Sequence, residues 1–432
     1  MKTLKRNQES IPDNRKFNMI VILIYFTFLF ILEFTVFRPF LKPASINFLT
    51  NAKTNLFFLA MNDIFITLSY LLCSKWIFIF ICMLILNFST VYKLFIFTQN
   101  IFIGCFVISL FQLIIKDELV YYNESVLFPI KTCVTFFGTP SISATLSTIG
   151  VFTLRHLFIL EGFLSKWRRA YLVSFIICIL YIVFAGLIGL FSIVNSLDQI
   201  IFGIFLGFGI YFFVFYIFKI QAEKGRQLLT FIKKNFLLHF ILTFFPLVLL
   251  TMTYIVFRTS DKLLAELGEK LSKCKCPATA ESPLYFREAK FSLIFGSFIL
   301  INYVIIFSLK LEYSTVFPRR DNDWMHYNFN NDVKSILEES FCSDISIGEK
   351  ETRWNKTGIL FSLIRLAITF LVCFGILLLF EFYELETENV TFYLLCNSFS
   401  PLALVFFFLF YFSKVLFRIL HLSNECVIIL SG

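Results

Sequence analysis

Residues 171–191 read YLVSFIICILYIVFAGLIGLF and contain no charged side chain. A helix of this length extends about 30 Å, enough to cross the hydrocarbon core of a bilayer. The chain contains about ten such apolar runs, near 19–37, 75–90, 93–115, 141–160, 171–191, 196–218, 236–257, 291–309, 357–380 and 391–413. A further run near 55–72 is interrupted by Asn62 and Asp63.

The composition of the whole chain is that of a membrane protein. Of its 432 residues, 58% are hydrophobic and 16% are charged, whereas soluble domains carry about 25% charged residues. This hydrophobicity excludes a soluble enzyme or a nucleic-acid-binding protein. The net charge of +9 lies in short clusters between the apolar runs, a pattern typical of a topology signal. Because hydrocarbon admits only helices and closed barrels, and no strand alternation is present, the predicted fold class is an all-α polytopic membrane protein with about nine to eleven transmembrane helices.

The distribution of lysine and arginine predicts the orientation of these helices. Basic residues collect on one face of the predicted bundle, at Lys166, Arg168, Arg169, Lys219, Lys224, Arg226, Lys233, Lys234, Lys414 and Arg418. The loop 116–140, the turn near 192–196 and the acidic connector 381–388 lie on the other face. By the positive-inside rule the basic face, with both termini, is cytosolic, so the loop 116–140 and the turn near 195 share the opposite face.

Two segments on that opposite face form a recognisable pattern. The first is Phe128-Pro-Ile-Lys-Thr-Cys133 running into Gly138-Thr-Pro-Ser-Ile-Ser-Ala144, and the second, 186–203, reads GLIGLFSIVNSLDQIIFG. Together they resemble the second and third signature motifs of the type 2 phosphatidic-acid phosphatase superfamily, and within it the glucose-6-phosphatase branch.

The resemblance implies a division of the chain. It covers roughly residues 75–415, which are expected to form a glucose-6-phosphatase-like transmembrane core. Residues 1–74 then form an N-terminal extension with one or two extra membrane spans, and residues 416–432 form a short C-terminal tail.

The resemblance also implies roles for individual residues. In the family one histidine attacks phosphorus, a second protonates the leaving group, and a lysine and two arginines hold the phosphate. Here Asn195 stands at the nucleophilic histidine, Ser143 at the acid histidine, and Gln199 keeps its place in the third motif. Lys116 and Ser141 match phosphate-binding positions.

Other motif positions are degenerate. Asn123 and Glu124 replace the Arg-Pro of the first motif, Ile142 with Ser143 replaces Gly-His in the second, and Ile188 with Gly189 replaces Ser-Arg in the third. An asparagine amide has no nucleophilic lone pair and a serine hydroxyl is a poor general acid at neutral pH. Because loss of a nucleophile typically costs on the order of 10⁶ in rate, we expect a pseudoenzyme.

No other histidine replaces the missing ones. The chain has four histidines, and His156 lies about 20 Å along a helix from Ser143. With its neighbour Arg155 it is expected to snorkel toward the cytosolic headgroups.

The predicted location is the endoplasmic-reticulum membrane, with the motif loops in the lumen. Asn123, in an Asn-x-Ser sequon, is the predicted glycosylation acceptor. The expected partners are the lipid bilayer and a phosphorylated sugar or lipid head group. No cofactor, metal or nucleic acid is expected, and the sequence indicates no protein partner.

Two alternatives remain open at this stage. One is an active glucose-6-phosphatase or lipid phosphatase with an altered site. The other is a chemoreceptor-like or transporter-like membrane protein. A transporter needs polar side chains along its membrane helices, and the sequence offers few, at Glu33, Asp63, Gln99 and Gln112.

Overall fold

The computed structural model describes the residues 15–52, 64–65, 67–68, 75–88, 91–117, 138–160, 168–192, 194–217, 249, 252, 256, 356–382 and 400–420. Every regular element within these ranges is a helix, and none of them contains a strand. The prediction of an all-α protein is confirmed for this part of the chain.

Ten α-helices make up the described structure. They are α1 (Arg15–Leu32), α2 (Lys42–Ala52), α3 (Lys75–Phe88), α4 (Val91–Ile115), α5 (Ile142–Arg155), α6 (Arg168–Phe191), α7 (Leu197–Phe212), α8 (Lys356–Phe382), α9 (Ser400–Phe407) and α10 (Ser413–Ile419). Four wider π-helical stretches continue them, at Glu33–Leu41, His156–Leu160, Phe213–Ile217 and Phe408–Phe412.

Five helical segments among the described residues are long and apolar enough to cross a membrane. They are Ile20–Ala52, Ile96–Ile115, Tyr171–Phe191, Leu197–Tyr216 and Leu360–Phe380. These segments agree with the prediction of a membrane protein. The predicted run 291–309 lies outside the described residues, as does nearly all of 236–257, so the total of nine to eleven spans stays a prediction.

The first span is longer than the sequence indicated. The apolar run ends near residue 37, but the helix continues to Ala52, giving 33 residues and about 50 Å of helix. Pro39 lies in the π-helical stretch Glu33–Leu41. Proline cannot donate a helical hydrogen bond, and a wider turn is one way for a helix to accommodate it.

The described residues fall into two compact units. One takes its residues from Met1–Ile77 and Ile96–Ser292, and the other from Phe78–Phe95 and Leu293–Gly432. The first unit contains most of the residues singled out in the sequence. The domain limits predicted at residues 74 and 415 are not tested and stay predictions.

The second unit contains a buried arginine. The Nη2 atom of Arg365 donates to the Ser362 hydroxyl at 2.8 Å and to the Asn87 carbonyl at 3.3 Å. Asn87 lies in the last turn of α3, and its amide donates to the Thr369 hydroxyl at 3.2 Å. The arginine therefore satisfies a carbonyl at the end of α3, where a cation is favourably placed.

In the first unit, the N-terminal span packs against α7. The Tyr25 hydroxyl donates to the Phe205 carbonyl at 2.7 Å, and the stretch Glu33–Leu41 and helix α2 also contact α7. The segment predicted as an extension is therefore part of the same compact unit as the motif residues.

Helices α5 and α7 approach closely because α7 presents glycines to α5. A Cβ atom on Gly207 would lie 2.7 Å from the Thr145 carbonyl oxygen, and one on Gly203 would lie 2.9 Å from the Ser141 carbonyl oxygen. Real Cβ atoms do not approach backbone oxygens that closely, so the two helices depend on glycine here.

This packing makes a prediction for Gly207→Ala. We expect the substitution to lower stability by on the order of 1–3 kcal/mol, because the added methyl group forces the helices apart. The measurement is thermal unfolding of the full chain in detergent. The matched control is Gly150→Ala on α5, where a Cβ would make only an ordinary 3.6 Å contact with Ile101. Equal melting temperatures for the two variants would contradict the packing argument.

Candidate functional site

Four chain segments meet at one end of the first unit. Helix α4 ends at Ile115, α5 begins after Ser141, and α6 and α7 are joined by a tight turn. In that turn the backbone N–H groups of Val194 and Asn195 both donate to the Gly189 carbonyl, at 3.3 and 3.1 Å. The described part of the first motif segment, 138–144, therefore lies at the same end of the unit as the turn in the second motif segment.

Backbone hydrogen bonds fix the segment before α5. The Gly138 N–H donates to the Asp117 carbonyl at 2.7 Å, and the Ser141 N–H donates to the Gln199 carbonyl at 3.1 Å. Gly138 lies so close to the Gln199 side chain that a Cβ would overlap it. The segment 138–144 is thereby joined directly to the segment 186–203.

The structure brings four predicted site residues together. The Ser141 hydroxyl donates to Asn195 Oδ1 at 3.0 Å, and its oxygen lies 3.2 Å from the Ser143 hydroxyl oxygen. Asn195 Nδ2 donates to Gln199 Oε1 at 3.3 Å. We call these four residues the motif cluster. Their proximity agrees with the motif assignment, whereas their roles stay predictions.

The degenerate positions are arranged around this cluster. Ile142 is the first residue of α5, and Ile188 is buried in α6. Gly189 supplies the carbonyl that holds the turn before Asn195. Asn123 and Glu124 lie outside the described residues, so their predicted places, including glycosylation of Asn123, stay predictions.

Lys116 marks the point where the chain leaves α4. It has a positive φ of 51°, a conformation that is uncommon for residues other than glycine, and its N–H donates to the Gln112 carbonyl at 3.1 Å. This turn directs the next side chain, that of Asp117, into the site.

The Asp117 carboxylate holds the site together. Its Oδ2 accepts from Gln199 Nε2 at 2.8 Å and from the Thr139 hydroxyl at 2.9 Å. Its Oδ1 lies 2.6 Å from Lys42 Nζ and 3.3 Å from Arg38 Nη2. The carboxylate thus joins the N-terminal span to the motif segments.

Sequence reasoning missed Arg38 and Lys42 as site residues. Lys42 lies 75 positions before Asp117, in the segment treated as an extension. The available signal was the presence of two cations beside a long apolar run, since charges in a membrane helix are costly and usually have a partner.

The balance of these contacts sets the ionisation of Asp117. Burial by itself would raise the pKa of the carboxyl group. The positive charge and hydrogen bond of Lys42, the Gln199 amide and the charge of Arg38 outweigh burial and hold the pKa below its usual value. Asp117 is therefore ionised at neutral pH.

Two further carboxyl groups lie beside this one. Glu33 and Asp198 are both fully buried, and Glu33 Oε1 lies 3.7 Å from Arg38 Nε. None of their four carboxyl oxygens has a hydrogen-bond partner among the described residues. Together with Asp117, Arg38 and Lys42 they form what we call the charge cluster. No group of three or more His, Cys, Asp or Glu side chains in the described part of the chain is placed to hold a metal ion.

His156 lies at the other end of α5, away from the motif cluster. Its Nδ1 lies 3.3 Å from the Tyr211 hydroxyl oxygen, and its ring stacks on Phe215. Arg155 lies over the Tyr171 ring and donates to the Ser174 hydroxyl at 3.3 Å. The prediction that the pair snorkels is wrong: both side chains are buried, because aromatic rings and hydroxyl groups supply the partners that headgroups would otherwise provide.

The ion pair between Lys42 and Asp117 makes a testable prediction. Asp117→Asn should lower stability by on the order of 1–3 kcal/mol, since it removes the buried anion that Lys42 and Arg38 contact, although both cations are partly exposed. The double variant with Lys42→Met should be less destabilised than the sum of the single variants, by about 1–3 kcal/mol. Unfolding in detergent measures all four proteins, and additive effects would contradict the pairing.

The pH dependence of the same variants has a definite sign. Because the pKa of Asp117 is lowered, the carboxylate stabilises the protein at neutral pH, and this contribution is lost as the pH falls through the lowered value. The stability difference between the natural protein and Asp117→Asn should therefore shrink in acid.

Compared with known proteins, the chain matches no protein-family model, no curated sequence and no solved structure. The arrangement of the motif cluster and the charge cluster is therefore the ground on which a function is proposed.

Proposed function

We propose that this chain is a multi-pass membrane protein with a glucose-6-phosphatase-like helical core whose site does not hydrolyse phosphate esters. The observation that carries the proposal is the state of Asn195. Its amide oxygen accepts a hydrogen bond from Ser141 at 3.0 Å and its amide nitrogen donates to Gln199 at 3.3 Å. The residue at the nucleophile position is thus a fixed hydrogen-bonding group within the protein.

The other members of the motif cluster do not replace the nucleophile. Activation of a serine requires an adjacent base that takes its proton. The Ser141 hydroxyl donates to an amide oxygen, which is not such a base, and Ser143 has a second hydroxyl as its neighbour. The described histidine, His156, is engaged with Tyr211 at the far end of α5.

The charges beside the motif cluster also argue against phosphate binding. The two cations, Arg38 and Lys42, are paired with Asp117. A phosphate dianion would have to displace that carboxylate, and the displaced negative charge of Asp117 would repel it. Tight binding of a phosphorylated sugar or lipid head group is therefore not favoured.

The resemblance supports the endoplasmic-reticulum membrane as the location, with the motif loops lumenal and the termini cytosolic. The side of the membrane that the motif segments face is part of the proposal.

Phosphate release tests the loss of hydrolysis. The full chain in lipid nanodiscs is supplied with glucose 6-phosphate or with phosphatidic acid. Since the nucleophile is absent, release should equal that of empty nanodiscs and of the Asn195→Ala variant. Release above these backgrounds that disappears in Lys116→Ala would contradict the proposal and would favour an active phosphatase with an altered site.

The charge cluster favours transport as a second candidate function. Glu33 and Asp198 are fully buried within segments able to span a membrane. Ionisable residues in such positions commonly lie on ion pathways or proton relays. The sequence had already indicated Glu33, whereas Asp198 gains its significance from its position beside it.

Proton flux tests this candidate. Full-length protein is reconstituted into liposomes that contain a pH-sensitive dye, and the outside is acidified. We expect acidification of the interior several times faster than in protein-free liposomes, with the increase lost in Glu33→Gln because that side chain cannot bind a proton. Flux equal to that of protein-free liposomes would contradict proton transport.

A further inference from the structure

Glu33 occupies an unusual position in the first unit. It begins the π-helical stretch Glu33–Leu41 inside the span Ile20–Ala52, and its side chain is fully buried. That stretch packs against α7. Wider helical turns of this kind are frequent at functional sites, and here the turn places a carboxyl group among other charges.

The charges that act on Glu33 come from four segments. Arg38 belongs to its own π-helical stretch, Lys42 to α2, Asp117 to the turn after α4, and Asp198 to α7. With all five groups ionised, three carboxylates face two cations, so the charge cluster carries one negative charge in excess.

Of the three carboxyl groups, Glu33 has the least compensated negative charge. Lys42 forms a hydrogen bond with Asp117 at 2.6 Å and Arg38 Nη2 lies 3.3 Å from the same oxygen. Glu33 is 3.7 Å from Arg38 Nε, and neither of its oxygens has a hydrogen-bond partner among the described residues. Asp198 is the second residue of α7, where the N-terminus of the helix stabilises an anion. Glu33 has the longer of the two contacts to Arg38 and no helix N-terminus beside it, so among the three carboxyl groups its negative charge is the least compensated.

We propose that Glu33 is a proton-binding site of the membrane domain and that one proton bound there makes the charge cluster neutral. A buried carboxylate could also be compensated by a bound sodium ion. No group of three or more His, Cys, Asp or Glu side chains among the described residues is placed to hold a metal ion, so we assign the site to a proton and let the experiment distinguish it from sodium. A proton requires only the carboxyl oxygen itself.

Proton binding stands on the geometry of the charge cluster and does not require that the protein lacks phosphatase activity. Its link to transport rests on the second proposed function. The proposed proton site and proposed proton transport are tested independently. If Glu33 binds a proton but liposomes show no proton flux, the site is supported and transport is contradicted.

Infrared spectroscopy of the full chain in nanodiscs tests the site. At neutral pH a protonated carboxyl group gives a carbonyl stretching band that a carboxylate lacks. Glu33→Gln should remove one carboxyl group from this band with little change in melting temperature, since glutamine resembles the protonated acid. The matched control, Glu381→Gln near the end of α8, should leave the Glu33 contribution intact.

Isotope labelling identifies the group that holds the proton. The contribution lost in Glu33→Gln should shift when the protein is grown with glutamate carrying ¹³C in its side-chain carboxyl group. A shift with labelled aspartate instead would place the proton on Asp198 and overturn the assignment.

Two other outcomes would also overturn it. If Glu33→Gln removes carboxylate absorption and leaves the carboxyl band unchanged, Glu33 is ionised. If replacing potassium by sodium abolishes the Glu33 contribution, the site binds sodium. We expect the Glu33 contribution to the carboxyl band to be the same in potassium and in sodium, and to be lost as the pH is raised.

Discussion

The buried carboxylate of Asp117 is the constraint on which the polar end of the first unit depends. It joins Lys42 of the N-terminal span, Thr139 ahead of α5, and Gln199 of α7 through contacts of 2.6 to 2.9 Å. A buried carboxylate is tolerated only when charges and hydrogen-bond donors compensate it. The segments that supply those groups are therefore held in one arrangement.

The same contacts support the proposal that this site does not hydrolyse phosphate esters. A phosphate-binding site needs unoccupied donors and cations directed at the ligand. Here the cations are directed at a carboxylate of the protein, and Asn195 is held between Ser141 and Gln199. The donors that would otherwise receive a substrate instead stabilise the helix ends.

The charge cluster has three carboxyl groups but only two cations. This inequality is the reason to expect that one carboxyl group binds a proton. Lys42 and Arg38 compensate Asp117, and the N-terminus of α7 compensates Asp198. Glu33 has a 3.7 Å ion-pair contact with Arg38, and neither of its oxygens has a hydrogen-bond partner among the described residues. Proton binding resolves this imbalance with no change in the helix packing, which is why a proton-linked function is compatible with a tightly packed unit.

The amino-acid sequence by itself determined the membrane class, the helical fold of the described residues and the shared end of segment 138–144 and the turn before α7. Long apolar runs must form helices in hydrocarbon, and the number of spans between two loops decides whether they share a face. The tertiary structure alone decided that Arg38 and Lys42 reach Asp117, that Glu33 and Asp198 are both buried, and that Arg155 is buried. These contacts join residues far apart in the chain; Lys42 and Asp117, for example, are separated by 75 positions. Local sequence patterns do not predict which distant helices pack together.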